Sequence, residues 1–262
     1  VPLTGALKTL LLRGLLAGLI AGLLAATVGY FVGEPQVDAA IAIEEAASAA
    51  AEHAHSAGEA AGGHSHDADD ALVSRTGQKA GQFLALALAG LAFGAIFAAA
   101  ANVARRYTTL SGPHLALALA LGGWTAVVAV PFFKYPANPP AVGDPETIDQ
   151  RTWLWVAAVL LGLAAVGAAV FVHRALAGRF ATWRLIGGVA AFVLVTALGY
   201  VLLPGVDEVS ADFPATLLWR FRVASLAETA TLWAGIGLAF AALTEFATRR
   251  STPVPGEVAT AG

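Results

Sequence analysis

Long apolar runs dominate this chain, and its polar residues collect in the gaps between them. Six runs approach 20 residues or more: about Leu10 to Val32, Gln82 to Ala104, His114 to Phe133, Thr152 to Val172, Trp183 to Leu203 and Leu217 to Ala247. At about 1.5 Å of rise per residue, each can cross a bilayer core of about 30 Å. Barrel strands alternate in runs of about ten residues, whereas these runs are continuously apolar, so they predict helices. The expected fold is all-α, a polytopic membrane bundle of six transmembrane helices. The first run is too long and too Leu-rich for a cleaved signal, and no small-x-small cleavage site stands out after it. It is read as a retained helix. Gly90, Gly94, Gly187, Gly188, Gly235 and Gly237 suit close contact between helices in lipid.

The scarce charges are sorted by side. Lys8, Arg13, Arg105, Arg106, Arg174, Arg179, Arg184, Arg249 and Arg250 all fall on one side if there are six spans. Positive residues gather on the cytoplasmic side, so both termini are expected there. A five-span count would put Arg249 and Arg250 outside. Trp153, Trp155, Trp183 and Trp219 stand at span starts, where indole rings anchor to the interface. The expected organisation is a single membrane domain over 1–262. It carries an external His- and acid-rich loop at 34–78, an external Pro-rich loop at 134–151 and a flexible C-terminal tail at 251–262.

Composition agrees and removes several classes. Hydrophobic residues make up 58% and charged residues 13%, which excludes a disordered chain. Cysteine and methionine are both absent, so disulfide frameworks and thiolate metal clusters are excluded. A net charge of -3 gives no footing for nucleic acid. Membrane lipid is the expected surround, in the plasma membrane, with the His-rich loop extracellular.

That loop holds the distinctive chemistry. Residues 39–51 are Ala-rich with Glu44 and Glu45 and predict a short helix continuing outside the membrane. Glu52-His53-Ala54-His55 follows, then Gly63-His64-Ser65-His66-Asp67, with Asp69 and Asp70 behind. Four of the six histidines lie here as two His-x-His pairs, and nine of the eighteen acidic residues lie between Glu34 and Asp70. Neutral imidazole ligates Co, Ni, Cu(II) and Zn, and carboxylates add oxygen ligands. Residues two apart on a helix point to different faces, so the pairs fit a loop better. The expected metal ligands are His53, His55, His64, His66, Glu52 and Asp67. Missing sulfur argues against Cu(I). A solvated linker and a pH-sensing segment are the plainer alternatives.

Glu228 is the one acid well inside a span. An ionisable group there is costly and faces the bundle interior or a water path. The alternative is a pairing with Arg220 or Arg222, although six residues on one helix align Glu228 poorly with Arg222. Five of the twelve prolines fall between Pro131 and Pro145, which predicts a rigid outer loop. Tyr135 and Asn138 in that loop are expected on the transport path with Glu228. Lys134, Arg220 and Arg222 are expected in ion-pair or structural roles. His114 and His173, each alone at a span end, are read as interfacial.

Phe133-Lys134-Tyr135-Pro136-Ala137-Asn138-Pro139-Pro140-Ala141-Val142-Gly143-Asp144-Pro145 and Trp219-Arg220-Phe221-Arg222-Val223-Ala224-Ser225-Leu226 resemble the actinobacterial branch of the CbtA family. So does the order of an N-terminal Leu/Ala/Gly-rich span, an external His- and acid-rich loop and further spans. The resemblance covers essentially the whole chain. It implies a cobalt transporter subunit linked to vitamin B12-related uptake, working with a small His-containing membrane partner, CbtB, supplied as a separate chain.

The expected function is therefore divalent transition-metal transport, with cobalt as the cargo and nickel or zinc as alternatives, and no organic cofactor. The competing expectation is an accessory or structural subunit of a larger membrane complex or oligomer with no path of its own. An enzyme is not expected, since neither a nucleophile elbow nor an H-E-x-x-H pair occurs. Direct ATP coupling is not expected either, because no G-x-x-x-x-G-K-[ST] motif is present.

Overall fold

The computed structural model describes the backbone of residues 2–56 and 73–250, and within these the side chains of 2–50, 73–144 and 146–247. Among the described residues, helix is the only extended regular structure. The helices are α1 (Leu7–Val28), α2 (Glu34–Ser56), α3 (Arg75–Ala104), α4 (Gly112–Trp124), α5 (Val130–Lys134), α6 (Ile148–Ala175), α7 (Ala181–Leu202) and α8 (Ala215–Arg250). Wide π-helical turns at Gly29–Gly33 and Thr125–Ala129 join α1 to α2 and α4 to α5 without a break. Six of the resulting rods are long and apolar enough to cross a membrane.

Proline explains both wide turns. Pro35 and Pro131 each stand at the second residue after one of them. A proline inside a helix donates no N–H and its ring presses on the carbonyl four residues back. Bonding to the fifth residue back instead accommodates both defects. The Glu34 N–H, for example, donates to the Gly29 carbonyl.

The chain forms two compact units, residues 1–26, 83–122 and 230–262 in one, and 27–82 and 123–229 in the other. In the first, α1 and α3 run antiparallel at glycine spacing. Gly14 meets Gly94, Gly18 meets Gly90, and Gly22 meets Leu86, in each case close enough that a Cβ would strike backbone. Without a hydrophobic drive between helices in lipid, such backbone approach supplies the packing. Leu10, Ile236 and Phe240 are fully buried beside this seam, and Phe240 meets Phe97 edge-on at 5.4 Å. Arg105 closes the unit's end by donating to the Leu3 and Gly5 carbonyls and to Asn102.

In the second unit α6 and α7 pack as a pair, and Gly162 of α6 sits against the Ala126 carbonyl inside the second wide turn. Ala40, Phe213 and Leu218 make a small apolar cluster of their own.

Throughout the described residues, buried positions favour Ala and Gly, whereas Leu84, Leu121, Leu160, Phe171 and Val201 are more than half exposed. Water would penalise that distribution and lipid does not, so the protein is a multi-pass membrane protein.

The helices begin or end a few residues beyond the apolar runs. α3 starts at Arg75, seven residues before the expected Gln82, and α2 reaches Ser56. The backbone at Glu52, His53 and His55 is therefore helical, whereas the composition suggested a helix stopping near residue 51.

Candidate functional site

The Pro-rich loop is built by a series of stops. The Tyr135 N–H donates to the Pro131 carbonyl at 2.7 Å and ends α5, and Pro136 holds the preceding residue out of the helical region. Pro139 is fully buried. The chain then turns so that the Val142 N–H reaches the Pro139 carbonyl, with Ala141 in the left-handed region at φ 64°. Gly143 follows at φ 130°, where a Cβ would also crowd the Arg151 guanidinium.

Side chains from three directions lock this loop. Lys134 Nζ donates to the Tyr200 carbonyl at 2.9 Å, and the Tyr200 hydroxyl donates to the Val130 carbonyl. The Tyr135 hydroxyl donates to the Pro204 carbonyl at 2.8 Å, and burial pushes this phenol above its ordinary value, so it stays a donor. Arg222 donates from Nε to the Ala137 carbonyl at 3.2 Å and from Nη2 to Asn138 Oδ1 at 2.9 Å.

Behind the loop lies a cavity of about 770 Å³ that runs past Asn138 and Arg222 to Ser225 and Thr229. Its wall carries two acids, Asp207 and Glu208, from the α7–α8 connection. Glu208 is held by Arg151, Nη1 to Oε2 at 3.0 Å but too angled for a hydrogen bond, and by the Thr147 hydroxyl on its other oxygen. Asp207 is exposed and accepts one long bond from the Val209 N–H. Two arginines and two carboxylates thus share one apolar-edged recess, with Tyr135, Asn138 and Arg222 brought together in it.

Glu228 lies outside the lining of that cavity, although Thr229 beside it belongs to it. Its carboxylate sits against Gly29 in the first wide turn and against the Gln82 amide, Nε2 to Oε2 at 3.5 Å. The described partner of Glu228 is therefore Gln82 and neither arginine. Arg220 is exposed, and the described bonds of Arg222 go to neutral oxygens of the loop. Lys134, expected in an ion-pair or structural role, bonds the Tyr200 carbonyl.

Glu34 and Asp38 on α2 face Arg75 and Lys79 on α3. Arg75 bridges both acids and Lys79 reaches Asp38 at 2.8 Å. The side chains of Glu52, His53 and His55, and all of His64, His66 and Asp67, lie outside the described residues. Among the described residues, no group of three His, Asp or Glu is placed to hold a metal. His114 pairs with the Ser111 hydroxyl at 2.7 Å, and His173 Nε2 accepts from Arg184, since a guanidinium can only donate.

Asp207, Glu208, Arg151 and Gln82 escaped the sequence reading. Asp207 and Glu208 sit in a connection without periodicity, and Arg151 stands near the start of α6, ahead of its apolar run. Gln82 marked a span boundary there, and nothing in the local pattern joins it to Glu228.

A family model described as probable cobalt transporter subunit, CbtA, matches residues 7–245. No curated protein and no solved structure matches the chain. The matched region takes in every long apolar helix, the Pro-rich loop and the cavity, and the chain belongs to the CbtA family of probable cobalt transporter subunits.

Proposed function

We propose that this subunit forms the membrane passage of a divalent transition-metal transporter in the plasma membrane, with cobalt as its cargo. The outer His- and acid-rich segment captures the ion through His53, His55, His64 and His66, with Glu52 and Asp67 adding oxygen. Imidazole and carboxylate suit cobalt, and they suit nickel and zinc as well. The cavity behind the Pro-rich loop receives the ion, with Tyr135 and Asn138 on its wall, and Glu228 stands further along the path.

The observation that carries this reading is the acid pair Asp207 and Glu208 on the wall of an open cavity bordered by the loops after α5 and α7. By the charge distribution those loops share the outer side with the histidines. A family of cobalt transporter subunits supplies the cargo. Its description as a subunit supports a separate membrane partner, for which a small CbtB-like chain is the candidate.

The test is cobalt uptake into proteoliposomes by the full chain, with its partner if one co-purifies. Replacing the four histidines by alanine is expected to move uptake to higher cobalt concentrations while leaving the saturated rate intact. Asp207→Asn with Glu208→Gln is expected to lower the saturated rate. Unchanged uptake at limiting cobalt would overturn the capture role. A stoichiometric partner that carries cobalt without this chain would favour the accessory role.

A further inference from the structure

Glu228 and Gln82 leave one polar atom unsatisfied. Gln82 Nε2 faces Glu228 Oε2 at 3.5 Å, at the long limit for a hydrogen bond. Gln82 Oε1 is buried and accepts nothing from any described residue. An amide oxygen buried without a donor loses the hydrogen bond it had to water, so the pair as it stands is incomplete.

One proton completes it. An ionised carboxylate can only accept, whereas a protonated carboxyl offers one O–H. That O–H supplies the donor Gln82 Oε1 lacks, while the Gln82 N–H goes to the other carboxyl oxygen. The two bonds close a planar acid–amide ring in which every polar atom is used and no charge remains. Gly29 makes this possible, because a Cβ there would collide with both the Glu228 carboxylate and the Gln82 amide.

We propose that Glu228 and Gln82, packed over Gly29, form a proton-binding pair inside the membrane, and that its proton is exchanged against the metal ion during transport. The proposal rests on the transport reading for its second half only. In the loaded pair a proton from water joins a carboxylate oxygen, forming a neutral acid. In the empty pair that proton has returned to water and the carboxylate is charged. Thr229, next in sequence to Glu228, stands on the wall of the recess.

The surroundings make the pair sensitive to charge. From α2 the charged group that faces Glu228 is Glu34, itself held by Arg75 and Lys79. From α3 the facing group is the neutral Gln82. On α8 its neighbours in sequence are Ala227 and Thr229. No described cation bonds the Glu228 carboxylate, so a proton is the small positive group that the geometry favours.

The experiment is infrared difference spectroscopy of the full chain in lipid nanodiscs during a pH titration. A carboxylic-acid carbonyl band is expected to grow as pH falls, to vanish in Glu228→Gln and to shift in Gln82→Leu. Glu228→Gln preserves the ring as an amide pair, so it should fold. Gln82→Asn shortens the amide without removing it and keeps the question open to test should Gln82→Leu fail to fold. A band unchanged in Glu228→Gln would overturn the pair. In proteoliposomes with a trapped pH dye, cobalt entry is expected to drive protons out, and Glu228→Gln to abolish that proton movement. Cobalt entry with no proton movement would overturn the exchange while the transport reading stands. A titrating Glu228 band in a chain that moves no cobalt would support the pair and remove the transport reading.

Discussion

Arg222 reaches from α8 to the Asn138 side-chain oxygen at 2.9 Å, across 84 positions of sequence, and ties a transmembrane helix to the Pro-rich loop. The same guanidinium holds the Ala137 carbonyl. This anchor adds to the backbone restriction that the prolines impose on the loop. Hydrogen bonds to a charged group contribute about 1.5–3 kcal/mol each before solvent exposure discounts them. Arg222→Ala is therefore expected to cost about 2 kcal/mol and to speed hydrogen exchange across residues 135–140. Arg222→Lys should recover only part of the protection, since a lysine cannot fork between two acceptors. Exchange rates equal to wild type in Arg222→Ala would show that the loop needs no anchor.

The glycine seam makes a sharper contrast. A Cβ at Gly18 would strike the Gly90 backbone, whereas nothing lies within 4 Å of one at Gly167. Gly18→Ala should lose about 1–3 kcal/mol through overpacking. Gly167→Ala should be neutral or gain up to about 1 kcal/mol in helix propensity. Thermal unfolding in one detergent compares the two, and equal melting temperatures would count against a seam held by backbone contact.

Ala141 occupies the left-handed region at φ 64°, where an L side chain costs about 1–2 kcal/mol. Glycine removes that strain but adds chain entropy to the unfolded state. Ala141→Gly should thus gain less than about 1 kcal/mol, and Ala141→Val, with its branched Cβ, should lose stability. A valine variant as stable as wild type would mean that the turn relaxes away from this geometry.

The Glu34, Asp38, Arg75 and Lys79 cluster is partly exposed, so each pair is worth no more than about 1 kcal/mol and weakens with salt. Arg75→Ala should raise hydrogen exchange over residues 34–50, with the effect shrinking as ionic strength rises. An effect that ignores salt would point to lost packing by the arginine stem.

Much of this architecture is legible from the chain. Helices in lipid need long apolar runs, so the six rods and their order follow from hydropathy alone. Their ends do not, because polar residues such as Arg75, Gln78 and Lys79 continue a helix once it leaves the membrane. Pro35 and Pro131 were the readable sign of the wide turns, since each stands where an apolar helix has to carry on. Asn138 and Tyr135 could be read together because they sit in one short segment, and both line the same cavity. The partner of Glu228 could not be read, because Gln82 lies 146 positions away. Local reasoning offered Arg222 instead, but six residues of helix turn about 600°, leaving the two roughly 120° apart.

The wide turn at Gly29–Gly33 also sets what the sequence can tolerate by insertion or deletion. Five residues separate Gly29, which faces Gln82, from Glu34, which faces Arg75. In an α-helix five steps turn about 500° and would leave them about 140° apart. One residue taken up by the wide turn reduces that to roughly 40°, so both face α3. Deleting a single residue between Gly29 and Gly33 would therefore rotate every later position of α2 by about 100°. Glu34 and Asp38 would leave their cations without any change to their own codons. Homologues that vary in length should keep their gaps out of this five-residue window and place them in 57–72.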